Sequence, residues 1–208
     1  MTDAAASTAI EHHHADAEGA RLGMWLFLLS EIFLFGGLFL VYSVYRFKNP
    51  ADFHAGAAEM SRFLGTLNTV VLLTSSLTMA LSIAAIQRAN RSLSSWMLGF
   101  TIALSLVFLV NKYFEWTAHI GRGIYPNSHY LLSQPKGTIL FFGLYYTMTG
   151  LHGVHVLVGA LVLTVMLVLV RKRVVDSKSY VLLENSGLYW HLVDIIWIFL
   201  FPLFYLIT

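Results

Sequence analysis

The stretch YWHLVDIIWIFLFPLFY, Tyr189–Tyr205, decides the fold. It is apolar enough to cross a bilayer, yet it carries His191 and Asp194 near its start. On a helix these two lie three positions apart on one face, flanked by Trp190 and Trp197 on much the same stripe. A carboxylate at the centre of a membrane helix costs roughly 2.5–3.5 kcal/mol on insertion scales. It must therefore face protein rather than lipid and find a partner. The pattern is that of a bundle helix docked against something, with Asp194 and His191 as neighbours, and not that of a simple anchor.

The composition agrees. The 208 residues are 57% hydrophobic and only 12% charged, with a mean hydropathy of +0.69. Soluble domains carry about 25% charged residues, so the chain reads as an integral membrane protein. A formal charge of +2 is too small to suggest a nucleic-acid partner. With no cysteine there is no disulfide framework, thiolate metal site or cysteine nucleophile. Long continuous apolar runs argue against a membrane β-barrel, whose strands alternate over about ten residues.

Five apolar segments can each span a bilayer, which takes about 20 residues. They run over about 22–45, 63–86, 93–116, 138–170 and 188–207. Backbone polar groups in lipid must be satisfied internally, so all five are expected to be helices. The fold class is thus all-α, a polytopic bundle of five transmembrane helices forming one domain over 21–208. Residues 1–20 are polar, with His12, His13 and His14 in a row, and read as a disordered tail and not a signal peptide. Gln87–Ser92 is short enough to make segments two and three an antiparallel pair. Asn49-Pro50 marks a turn, and Gly121–Lys136 is the longest irregular stretch. Pro202 should bend the last helix mildly.

Basic residues in the loops set the orientation. Arg21, Arg88, Arg91, Arg171, Lys172, Arg173 and Lys178 share one side. Arg46, Lys48, Arg62, Arg122 and Lys136 share the other. The bias places the N-terminus inside and the C-terminus outside.

Several polar residues fall within these segments. Glu31 lies about 13 Å into the first, near mid-bilayer, with no basic residue of its own helix in reach. It reads either as a proton-linked carboxyl or as a neutral acid bonded to a carbonyl or hydroxyl at a helix interface. Asn68, Ser75 and Ser82 stand at heptad spacing and read as packing contacts. In NKYFEW, Lys112 and Glu115 can pair locally, with His119 one turn on. That group reads as a structural cluster at the outer boundary, with Tyr113 and Trp116 as interfacial anchors. His152 and His155, three apart around Gly153, could share a metal-ligand face. They would need His191, Glu31 or Asp194 to complete it, so bonding to neighbouring helices is the favoured reading. Gly153 reads as a close-packing point.

Three histidines in the membrane portion are too few to hold two axial haem pairs, or a haem and a copper site. Nucleotide loops and nucleophile–base motifs are also absent from the sequence. The residues therefore describe an accessory subunit whose polar faces pack its own helices and a larger partner.

Four motifs are more specific. GMWLFLLSEIFLFGGLF (Gly23–Phe39) resembles the glutamate-bearing helix of cytochrome c oxidase subunit III. LNTVVLLTSS (Leu67–Ser76) resembles that family's next helix, and TGLHGVHVLVG (Thr149–Gly159) its H-G-x-H helix. YWHLVDIIWIFLF (Tyr189–Phe201) is similar to its terminal signature. They occur in the family's order. The resemblance implies an accessory subunit without its own redox centre, in a haem–copper terminal oxidase whose haem and copper sit in partner subunits. It implies packing on catalytic subunit I, contact with other oxidase subunits and membrane lipids, support of proton uptake, and protection of the catalytic centre. By position, Glu31 corresponds to the family's carbodiimide-reactive carboxyl. Asn68 lies in the matching second motif, and His152, His155, His191 and Asp194 fall on characteristic polar positions. Glu115 resembles a family glutamate, with Trp116 where tyrosine is usual. The two helices that precede these in longer members are missing here, as in short bacterial forms, which puts the family's lipid-filled cleft in question. The implied location is the bacterial inner membrane, with a cytoplasmic N-terminus and a periplasmic or extracellular C-terminus.

Three alternatives are weaker. One is the equivalent subunit of a quinol oxidase, and another a nitric oxide reductase accessory protein. The third, from a different class, is a small proton-coupled transporter using Glu31 and Asp194.

Overall fold

A computed structural model describes residues 2–207, with side chains from Glu18 to Ile207. The backbone of the expected tail continues α1 back to Thr2, and the side chains before Glu18, His12–His14 among them, lie outside those described. The chain forms α1 (Thr2–Lys48), α2 (Pro50–Ala58), α3 (Arg62–Gln87), α4 (Arg91–Gly121), α5 (His129–Leu132), α6 (Lys136–Arg171) and α7 (Val181–Tyr205). Five of these are long and apolar enough to cross a membrane, and the described residues contain no strand. The protein is a multi-pass, all-helical membrane protein.

Helix boundaries extend past the apolar runs where packing or capping supports them. α7 begins seven residues earlier than expected, through Glu184, Asn185, Ser186 and Gly187. Those residues suggest a loop, but Gly187 lets α7 press on α3: an added Cβ there would stand 2.6 Å from Ile83. Asn49-Pro50 does break α1, yet Pro50 then opens a helix at the position where its missing N–H is not needed. Ser128 caps the single turn of α5 by accepting from the Leu131 N–H at 3.0 Å.

α3 and α4 form the expected antiparallel hairpin. α4 packs on α6, α6 on α7 and α7 back on α3, closing a four-helix ring. α1 stands outside the ring against α6 and α7, and among the described residues its backbone does not come close to α3 or α4. Its inward stripe is narrow: Leu28, Phe35 and Tyr42, seven apart, are buried while most of its other large residues face outward. The Tyr42 hydroxyl donates to the Leu203 carbonyl and fixes α1 to the end of α7. In contrast, α7 is the most enclosed helix, with Trp190, Trp197, Leu200, Phe204 and Tyr205 fully buried. Trp190 donates its indole N–H to Ser75 (3.1 Å) and Trp197 to Thr69 (3.0 Å). Tryptophan can be buried because its one donor finds an acceptor.

The close helix approach falls at Gly159, not Gly153. A Cβ on Gly153 would meet nothing within 4 Å, whereas one on Gly159 would stand 2.7 Å from the Trp190 ring. At the opposite end of the bundle α2 folds onto α6, where Phe53 meets Phe141 edge-on at 5.5 Å. There Asp52 accepts the Gly137 N–H at 3.1 Å, capping the start of α6 from a distance.

The loop after α6 closes on Asp176, whose Oδ1 accepts from the Lys178 N–H (2.9 Å) and the Ser179 N–H (3.0 Å). Arg91 approaches its other oxygen at 3.8 Å. The two backbone donors, Lys178 first, hold this carboxyl below its ordinary 3.8. A depressed folded-state value means the turn is stabilised above about pH 3.8 and loses that contribution as pH falls through the lower value.

These contacts generate two expected outcomes. Gly159→Val should destabilise the bundle by about 1–3 kcal/mol, as overpacking does, read as a lower thermal midpoint in detergent; an unchanged midpoint would show that the Trp190 ring can yield. Asp176→Ala should raise deuterium uptake across residues 174–180 at neutral pH, whereas the wild-type loop should loosen only in acid, below the usual carboxylate range.

Candidate functional site

The intramembrane polar residues gather into three groups, each bridging different helices. In the first, α1 brings Glu31 to α6, where Glu31 Oε2 lies 3.0 Å from His155 Nε2. His155 Nδ1 lies 2.8 Å from the Leu151 carbonyl. A carbonyl only accepts, so Nδ1 carries a hydrogen and the contact from Nε2 to Glu31 holds one proton between them. Tyr189 of α7 donates to the His155 backbone carbonyl at 3.0 Å, and Phe35 meets the imidazole edge at 5.4 Å. Both side chains are largely enclosed, at 13% and 15% exposure. Glu31 thus bonds an imidazole across the interface, 124 residues away in sequence, rather than a carbonyl or hydroxyl.

The second group is a closed network. Lys112 Nζ donates to Glu115 Oε2 (3.3 Å), Tyr145 OH (3.0 Å) and Tyr205 OH (3.0 Å). Both phenols donate in turn to Glu115 Oε1, at 2.7 and 2.6 Å. All three ammonium hydrogens are used, and each carboxylate oxygen accepts. Lys112 also lies 4.8 Å from the Tyr145 ring centre. The expected local pair is present and enclosed, with Lys112 7% and Glu115 3% exposed; its partner Tyr205 is the last residue of α7, so the network lies toward that end of the bundle. Sequence reasoning missed Tyr145 and Tyr205. The available signal was Lys112 itself, a cation too deep to be left to one carboxylate.

The third group lies along α3. The Asn111 side-chain N–H donates to Asn68 Oδ1 at 2.9 Å, joining α4 to α3. Ser82 meets Ser94 at 3.0 Å. Ser76 Oγ lies 2.7 Å from His191 Nδ1. His191 is therefore bonded to α3 and not directly to Asp194, and Ser76 stands beside both residues. A separation of three positions is a rotation of about 60° on a helix; that turns Asp194 into the bundle, at 3% exposure, and leaves His191 half-buried at its rim. Neither Asp194 oxygen has a hydrogen-bond partner among the described residues.

His152 is fully buried, and its two nitrogens also lack partners among the described residues. Its ring packs against Phe108 at 5.5 Å and Trp197 at 5.3 Å. The two histidines thus part ways, His155 bonding α1 and His152 packing among aromatics. Among the described residues no group of three or more His, Cys, Asp or Glu side chains is placed to hold a metal ion. These arrangements can fix helices against one another and, at Glu31–His155, hold a proton between two side chains.

Comparisons with known proteins bear on this geometry. Residues 2–208 match the family described as Cytochrome c oxidase subunit III. The chain is 35% identical over 199 residues to a cytochrome c oxidase subunit 3 of Synechocystis sp., covering 94% of this chain and 78% of that one. It is 31% identical over 204 residues to the corresponding protein of Thermostichus vulcanus, with 96% and 93% covered. It is also 31% identical over 205 residues to a heme-copper oxidase subunit I+III of Aeropyrum pernix, covering 95% of this chain and 24% of that one.

The second network makes a double-substitution test. Lys112→Met alone leaves Glu115 buried without its cation and should cost about 3–5 kcal/mol, the range for breaking a buried pair. Adding Glu115→Gln should recover part of that loss. Additive losses in thermal or denaturant unfolding would show that the two side chains are not coupled.

Proposed function

We infer that this chain, which belongs to the cytochrome c oxidase subunit III family, packs on catalytic subunit I of its oxidase. There it supports proton uptake and protects the catalytic centre during aerobic respiration. It is an accessory subunit III of a haem–copper oxidase and associates with other oxidase subunits. The observation that carries the reading is the family match across residues 2–208. The Aeropyrum pernix relative, named for subunits I and III together, supports subunit I as the main partner, because a single chain holds both parts side by side.

In this reading the complex, a proton-translocating cytochrome-c oxidase, performs the chemistry. Haem and copper are held by partner subunits, and this chain contributes no ligand to them. The basic loops after α3 and α6 face the cytoplasm of a bacterium, the far end faces the periplasm or exterior, and the polar tail 1–20 precedes one five-helix domain. Glu31 and His155 supply the proton-holding pair. Asn68, Glu115, His152, His191 and Asp194 serve packing.

Purification through a tag on the large subunit tests the assignment: this chain should come out in one-to-one amount, with the haem spectrum following the large subunit. Its absence from an active complex would refute the reading. Glu31→Gln is nearly isosteric and should leave assembly intact. Turnover-linked loss of oxidase activity should change more than the initial rate. An unchanged inactivation lifetime would remove the protective role from Glu31.

A further inference from the structure

α1 and α3 both pack on α7, and among the described residues their backbones do not approach each other closely. Between them the outer face of α7 is left open as the floor of a groove. His191, Ile195 and Ile198 succeed one another along that floor at spacings of four and three. Ile195 is 48% and Ile198 44% exposed, and Leu73, one turn before Ser76 on α3, is 49% exposed. The apolar residues on this floor suit a lipid chain as well as a protein helix. His191 does not.

His191 lies about 10 Å along α7 from Glu184, whose ion pair with Arg21 lies near the membrane boundary. Ser76 engages Nδ1 and so orients the ring. Nε2 has no partner among the described residues, and it is not closed off inside the bundle. An acyl chain offers no hydrogen-bonding atom at that depth, and the nearer headgroups lie about 10 Å away along the helix. An unsatisfied ring nitrogen in hydrocarbon carries a desolvation cost that a facing polar side chain removes. The groove's two walls meet their own needs: serine and threonine hydroxyls on α1 and α3, such as Ser43 and Thr74, bond the carbonyls of their own helices.

We propose that the α1–α3 groove, with His191 at its centre, is the docking surface for a transmembrane helix of the catalytic subunit, which presents a hydrogen-bonding side chain or carbonyl to His191 Nε2. This rests on the assignment as subunit III, and the relative that joins subunits I and III in one chain favours the catalytic subunit over a second copy of this chain. Ser76 acts as a positioning residue by holding the ring so that Nε2 points outward. Ile195 and Ile198 supply the apolar contact beside the polar one.

The test uses the whole oxidase, purified through a tag on its large subunit. His191→Leu and Ile198→Trp should each lower the amount of this chain per complex several-fold. His191→Gln, which keeps a hydrogen-bonding group, should restore most of it. Phe100→Trp, on the exposed face of α4 outside the groove, should leave it unchanged. A photoreactive residue, Ile195→p-benzoylphenylalanine, should crosslink to the large subunit. Should the wild-type chain itself fail to co-purify, the subunit assignment falls and this inference with it. Should the wild-type chain co-purify and the groove variants do so equally, only the docking surface is overturned. A crosslink to lipid alone, or to a second copy of this chain, would also overturn it.

Discussion

Inside a bilayer a polar side chain has no water to fall back on, and that constraint organises this protein. The Lys112 ammonium is the most demanding case. Left alone it could not remain buried; surrounded by Glu115, Tyr145 and Tyr205 it has every hydrogen engaged. Because those partners come from α4, α6 and α7, satisfying one cation fixes three helices at a single depth. The packing of Phe204 against Tyr145 and Phe141 is built around the same point.

The same logic acts more weakly at the periphery. α1 presents lipid-facing residues over most of its surface and holds to the ring by a narrow stripe. Its polar ties among the described residues are few: Glu31 to His155, Tyr42 to the Leu203 carbonyl, Asn185 of α7 to the Ala20 carbonyl at 3.1 Å, and Arg21 to Glu184 at 3.0 Å near the membrane boundary. The Glu31–His155 contact therefore combines two roles. It holds the outermost helix and places a shared proton at a largely enclosed helix interface.

The five membrane helices, their order and the α3–α4 hairpin were legible in the sequence, because bilayer thickness converts hydropathy directly into helix length. So was the need of Glu31 and Asp194 for protein surroundings. Partner identity was not legible. His155 for Glu31, Tyr205 for Glu115 and Ser76 for His191 are separated by 124, 90 and 115 residues, and local spacing carries no information over that range. At α7 the spacing of three suggested that His191 and Asp194 pair directly, whereas Ser76 of α3 takes the His191 nitrogen and stands beside Asp194. Gly153 was a plausible contact on periodicity alone; which glycine a helix uses depends on where the neighbouring tryptophan falls. The short helix α2 was hidden because Asn49-Pro50 signals a break in α1 and not the structure beyond it.

At the centre of this picture, the buried cation is answered within the bundle and the histidine at its rim by the adjoining subunit. Determining the structure of the assembled oxidase, at a resolution that shows side chains, tests this most directly. It should show Lys112, Glu115, Tyr145 and Tyr205 as one network, and a polar atom of the large subunit within hydrogen-bonding distance of His191 Nε2. His191 facing only acyl chains, or Lys112 turned out to lipid, would contradict the claim.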